Sequence, residues 1–273
     1  MQGIKTWIPT ERKIAYVEAL LKVGFDTLDM GSFVSPKAIP QMADTRQVLD
    51  AVDKSKGKSK FLAIVANRRG AEAACKHHKI DCVGYPFSIS ENFQMRNTHK
   101  TIADSIIFLE ELSAMVSEYK KELIVYLSMG FGNPYGDPWS SVLVGEWVDR
   151  LAALGVKTIN LSDTVGTAEL MDITNLFSTL IPQFPAIEFG AHLHTQSEQA
   201  TLKIEAAYAA GCRRFDGAIK GFGGCPMAKD ELVGNMPTEK LISFLSQKKI
   251  AHTYDVLAFE SAYNEALKIF YLK

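Results

Sequence analysis

Short apolar or β-branched runs alternate along this chain with longer segments of helical periodicity, and no other feature constrains the fold as tightly. A strand followed by a helix brings the chain back to its starting edge, so repeated βα units build a parallel sheet with helices packed against it. The runs fall at 25–30 (FDTLDM), 60–65 (KFLAIV), 80–85 (IDCVGY), 122–127 (ELIVYL), 157–161 (KTINL), 187–191 (IEFGA) and 213–218 (RRFDGA). Between and around them, helical periodicity predicts helices that include 10–22, 102–119, 141–154, 168–180, 198–210 and 254–271. Gly24, Gly155 and Gly211 each sit just past such a segment, where a left-handed residue closes a helix.

This pattern predicts an α/β fold, a (β/α)8 TIM barrel. Such barrels run to about 250 residues as one unit, so the 273 residues are read as a single domain, 1–273. The runs supply seven strands where a closed barrel needs eight, and the first run is preceded by a helix. The first strand is therefore missing from the N-terminus. Either Met1 is an internal methionine of a longer product, or the barrel closes differently.

Composition excludes several classes. With 47% hydrophobic residues and a net charge of −1, the chain can bury a large core. Its 30 Lys and Arg are interspersed with 31 Asp and Glu, and no basic stripe interrupted by aromatics tracks a phosphate backbone, so no nucleic-acid partner is expected. No apolar stretch approaches the ~20 residues that span a bilayer, and MQGIKTWIPTERK lacks the apolar core of a signal peptide. A cytoplasmic protein with no membrane partner is expected. Cys75, Cys82, Cys212 and Cys225 are too few and too irregularly spaced for a disulfide framework, and no CxxC pair suggests zinc. A reducing compartment leaves at least one of them available as a working thiol.

The sharpest local motif is Ala191-His192-Leu193-His194 at the end of a predicted strand. Residues two apart on a strand share a face, so both imidazoles can meet one divalent ion at the strand C-termini, where barrels build active sites. Two polar residues at a strand end are the alternative. Gly221-Phe222-Gly223-Gly224-Cys225-Pro226 follows the last strand; it is either a flexible loop presenting a proton-exchanging thiol or a tight turn holding a buried cysteine. Gly234-Asn235 offers an amide oxygen, although Gly-Asn is also a common turn pair. Asp163, in the stretch Asn160-Leu161-Ser162-Asp163-Thr164-Val165-Gly166, lies at the predicted catalytic face and serves equally well as a helix cap. Ser32 and Lys37, in Ser32-Phe33-Val34-Ser35-Pro36-Lys37, bring a hydroxyl and a cation to the mouth or form an ordinary loop. The His77-His78 doublet reads as a solvated helix end.

Together these pieces resemble the hydroxymethylglutaryl-CoA lyase family of metal-dependent barrels. The matching text comprises residues 31–44 (GSFVSPKAIPQMAD), Ser90-Glu91-Asn92-Phe93, Ser162-Asp163-Thr164-Val165-Gly166, His192-Leu193-His194, and residues 221–226 followed by Gly234-Asn235. The resemblance implies that His192, His194 and Asn235 coordinate Mg2+ or Mn2+, that Cys225 transfers a proton, and that Asp163 is the base or hydrogen-bond partner of a substrate hydroxyl. It further implies that Asp29, where the family usually has Glu, is a catalytic carboxylate and Ser32 a substrate-binding hydroxyl. The implied reaction is the retro-Claisen cleavage of 3-hydroxy-3-methylglutaryl-CoA, a small-molecule acyl-CoA, to acetyl-CoA and acetoacetate. Family members are often dimers, so a homodimer is allowed.

Three departures bear on this expectation. The family's Arg-Asp pair, which supplies a metal ligand and an enolate-stabilising cation, has no match in this chain; if nothing precedes Met1, the site is impaired. Thr195 follows the histidine pair where Asp is common, and Asn160 replaces a small hydroxyl residue. Such changes either leave the reaction intact or tune the site toward another 3-hydroxy-3-methylacyl-CoA. A barrel aldolase or acyl-CoA condensing synthase is less consistent with the short helical tail, and a degenerate barrel kept as a binding partner rests only on the missing pair.

Overall fold

A computed structural model of the protein describes residues 1–4, 6–224 and 233–271. Among them are seven strands, β1 (Thr27–Ser32), β2 (Lys60–Ile64), β3 (Cys82–Ser88), β4 (Glu122–Ser128), β5 (Thr158–Asp163), β6 (Glu188–Leu193) and β7 (Arg214–Phe215). They form one sheet whose order is chain order, and each described register is parallel. The helices are α1 (Thr10–Val23), α2 (Thr45–Ala51), α3 (Arg68–Lys76), α4 (Glu91–Thr98), α5 (Ile102–Glu118), α6 (Ser141–Ala153), α7 (Leu170–Gln183), α8 (Ala200–Ala209), α9 (Thr238–Gln247) and α10 (Val256–Phe270). Order and direction are those of the (β/α)8 TIM barrel, with the first of the eight strands absent from the described residues. Each expected strand is present, the last being the shortest, and Gly24, Gly155 and Gly211 have φ of 87°, 84° and 103° at the helix ends. The helix expected from residue 168 starts at Leu170, because Asp163 holds the N–H groups of Thr167 and Ala168 in the preceding loop.

Two compact units make up the chain. The first comprises Met1–Gly84, Met115–Glu122 and Ala251–Lys273. Here α1 turns Lys13, Tyr16, Val17 and Leu21 inward at helical spacing, and Tyr16 meets Phe270 of α10 edge-on at 6.3 Å between ring centres. The Pro-Gln-Met-Ala-Asp stretch at 40–44 clamps the residues ahead of α1. Gln41 Nε2 donates to the carbonyls of Ile4 (3.0 Å) and Thr6 (2.7 Å), and its Oε1 accepts the buried Ile8 N–H at 3.0 Å. Leucine at Gln41 would strand these groups, each costing ~1–3 kcal/mol when left unpaired. We expect Gln41→Leu to lower unfolding free energy by about 3 kcal/mol, read from urea midpoints; a loss under about 0.5 kcal/mol would contradict the clamp.

Of the His77-His78 doublet, only His78 is the solvated end that the sequence suggests. His77 is buried, its Nε2 lies 3.0 Å from Asp50 Oδ1, and its ring stacks on His78 at 5.2 Å. Periodicity did not show that the chain after α3 folds inward here. Burial pushes the His77 pKa below its ordinary value, against the opposing pull of Asp50. The folded state then holds fewer protons than the unfolded state, so His77 removes stability as pH falls through about 6.5. His77→Gln should flatten the fall in Tm between pH 7.5 and 5.5; an unchanged slope would refute this.

The second unit comprises Tyr85–Ala114 and Leu123–Ile250. β5 and β6 pair with Ser162 opposite His192 and Asp163 opposite Leu193, while β6 and β7 pair with Gly190 opposite Arg214. β5 is buried along almost its whole length, as a parallel strand covered on both faces should be. At the start of α4, Ser90 Oγ accepts the Phe93 N–H at 3.1 Å, so the Ser-Glu-Asn-Phe stretch contains a helix cap.

Candidate active site

The two imidazoles lie close together at the end of β6. His192 lies on β6, and His194 follows the strand and forms an antiparallel bridge with Asn235. The ring centres are 5.5 Å apart with planes inclined by 52°. His192 Nδ1 lies 2.9 Å from Asp216 Oδ2, which also accepts Asn160 Nδ2 at 2.8 Å, while Tyr126 meets the His192 ring edge-on at 5.2 Å. A carboxylate at Nδ1 fixes ring orientation and tautomer, leaving the Nε2 lone pair for a ligand.

His194 is 4% exposed. Burial, reinforced by neighbouring His192, pushes its pKa down to about 3, so the ring is neutral, as a metal ligand must be. Asn235 Nδ2 donates to Phe222 O at 3.0 Å, orienting an amide whose Oδ1 is a hard donor. Gly223 permits this approach: its φ is 106°, and a Cβ there would lie 2.7 Å from Asn235 Nδ2.

These residues fit a divalent ion. Imidazole nitrogens and an amide oxygen are donor types such an ion accepts, and the Asp216 carboxylate supports the first imidazole from behind. Among the described residues no group of three or more His, Cys, Asp and Glu side chains is placed to hold an ion.

The remaining expected residues are placed as follows. Asp163 ends β5, 1% exposed; its Oδ1 accepts Thr167 N–H at 2.9 Å and its Oδ2 accepts Ala168 N–H at 3.0 Å and Lys203 Nζ at 2.9 Å. Burial raises the Asp163 pKa while Lys203 and the two N–H groups oppose the rise. Asp29 and Ser32 belong to the first unit: Asp29 is exposed and accepts Gly31 N–H at 2.9 Å, whereas the buried Ser32 Oγ has no hydrogen-bond partner. Cys225 lies outside the described residues. The described cysteines Cys75, Cys82 and Cys212 are free and buried, and burial pushes Cys82 and Cys212 up to about 12.

Asp216 and Lys203 were not singled out from sequence. An Asp at the end of the strand next to the HxH strand was a usable signal for the first. For Lys203 the signal was a lysine on the apolar stripe Ala200, Ile204 and Ala207 of α8.

Its relatives place this chain among enzymes of the lyase class. The chain belongs to the HMGL-like family, whose model matches residues 1–265. It is 30% identical over 250 residues to a hydroxymethylglutaryl-CoA lyase of Bacillus subtilis, covering 92% of this chain and 83% of that protein. Identity is 29% over 263 residues to a 3-hydroxy-3-isohexenylglutaryl-CoA/hydroxymethylglutaryl-CoA lyase of Pseudomonas aeruginosa, covering 96% of this chain and 86% of that one. The solved structure of an HMG-CoA lyase from Acinetobacter baumannii, in complex with coenzyme A and 3-methylmalate, superposes with a TM-score of 0.90 at 28% identity, covering 98% of this chain and 87% of that one. No described helix is long and apolar enough to cross a membrane.

Proposed function

We propose that the chain cleaves 3-hydroxy-3-methylglutaryl-CoA to acetyl-CoA and acetoacetate, with His192, His194 and Asn235 holding Mg2+ or Mn2+. The observation that carries this reading is the imidazole pair, 5.5 Å apart and backed by Asp216, in a chain of this family. Such an ion, when bound, supplies Lewis acidity toward the tertiary hydroxyl and orients the substrate.

The chain's residues do the rest. Asp216 keeps the His192 ring fixed, and Phe222 O keeps the Asn235 amide fixed. A carboxylate removes the hydroxyl proton, the carbon–carbon electron pair passes to the acetyl-CoA carbon, and an acid returns a proton to that carbon. Cys225 is proposed as this acid, and Asp29 and Ser32 as proton-handling and substrate-binding groups, on the family resemblance. Asp163 has both carboxylate oxygens engaged by Lys203, Thr167 and Ala168, so we assign it to holding the end of β5 rather than to proton removal.

Mass spectrometry of a reaction with 3-hydroxy-3-methylglutaryl-CoA and Mg2+ should find acetyl-CoA and acetoacetate in equal amounts. Free coenzyme A with the intact hydroxy diacid would show thioester hydrolysis and sink this reading. A related acyl-CoA with a larger 3-substituent is the second reading, supported by the likeness to the Pseudomonas enzyme, whose name includes 3-hydroxy-3-isohexenylglutaryl-CoA.

A further inference from the structure

Lys203 has no task in the chemistry above, yet it is 2% exposed on the core side of α8. A lysine so placed needs an acceptor for each ammonium proton. Its Nζ lies 2.9 Å from Asp163 Oδ2, 3.2 Å from His194 O and 3.4 Å from Gly166 O. The His194 N–H in turn donates to the Asp163 carbonyl at 3.2 Å. Both main-chain polar groups of His194 are therefore held by the same two residues, just past the point where β6 ends at Leu193. We propose that Lys203 is a positioning residue that fixes the backbone of His194, and through it the imidazole, for the ion.

A buried ion pair is a weak source of stability. Apolar residues of similar volume often stabilise a fold as well as such a pair, so stability alone is a weak reason to bury Lys203 and Asp163. Ligand geometry is a stronger one, because a donor must be held within about 0.5 Å of its productive position. An apolar side chain at position 203 could fill the space but could not restrain the His194 carbonyl.

This inference rests on the metal reading above, and its test separates the two. Mn2+ alone is titrated into the full chain, free ion being read by electron paramagnetic resonance alongside thermal unfolding. The wild type should bind Mn2+ and His194→Gln should lose it; binding indifferent to His194→Gln would overturn the metal reading and this proposal with it. The double variant Lys203→Met/Asp163→Asn, which carries no buried charge, should unfold near the wild-type temperature yet bind Mn2+ at least about tenfold more weakly. Asp163→Asn alone keeps the ammonium on the His194 carbonyl and should weaken binding less. A folded double variant with wild-type Mn2+ affinity, or equal losses in the single and double variants, would overturn the role of Lys203 while leaving the metal site standing.

Discussion

Glutamine in place of His194 is expected to cut acetoacetate formation from 3-hydroxy-3-methylglutaryl-CoA on the order of 1,000-fold, the several kcal/mol of transition-state stabilisation that a bound divalent ion supplies. The residue is buried, its ring is kept neutral by burial, and it stands 5.5 Å from the His192 ring. Glutamine occupies similar volume and leaves the backbone bond from His194 N–H to Asp163 unchanged, so the fold should survive. A graded series sharpens the test. Asp216→Asn removes only the carboxylate behind His192 and should cost about 10–100-fold, the range typical of groups that orient a ligand. Steady-state rates at saturating Mg2+ give both numbers, and a His194→Gln enzyme within tenfold of wild type would refute the assignment.

The second large effect is on stability. Lys13 Nζ lies 2.7 Å from Asp44 Oδ1, with side chains 2% and 6% exposed, and Thr10 Oγ1 donates to Asp44 Oδ2 at 2.8 Å. Lys13→Met would leave the Asp44 carboxylate buried without its cation, a loss of about 3–5 kcal/mol. Lys13→Met/Asp44→Asn removes both charges and should recover much of that loss. Chemical denaturation of the two variants decides the matter: equal stabilities would show that the pairing itself does not matter.

Lys13 and Lys203 also mark the limit of what periodicity discloses. Each heads a core-facing stripe, Lys13 with Tyr16, Val17 and Leu21, and Lys203 with Ile204 and Ala207. Apolar spacing reveals the helix and its buried face, but a cation on that face finds its partner only through distant packing: Asp44 is 31 residues away and Asp163 is 40. The strands were legible because parallel strands covered on both faces read as apolar runs. The closeness of His192 and His194 was legible for a different reason, since alternation along a strand is local geometry. Asp216 was harder, because its link to His192 depends on the pairing of β6 with β7 and not on spacing within either strand. His77 failed for a similar reason, its partner Asp50 lying 27 residues earlier.

If His192 and His194 hold an ion as proposed, carbon–carbon cleavage by this chain depends on that ion. The most direct measurement is acetoacetate release from 3-hydroxy-3-methylglutaryl-CoA in Mg2+ and then in excess EDTA. The proposed ion dependence predicts release that stops on chelation and resumes when Mg2+ is restored. Release that persists in EDTA, or none under either condition, would contradict it.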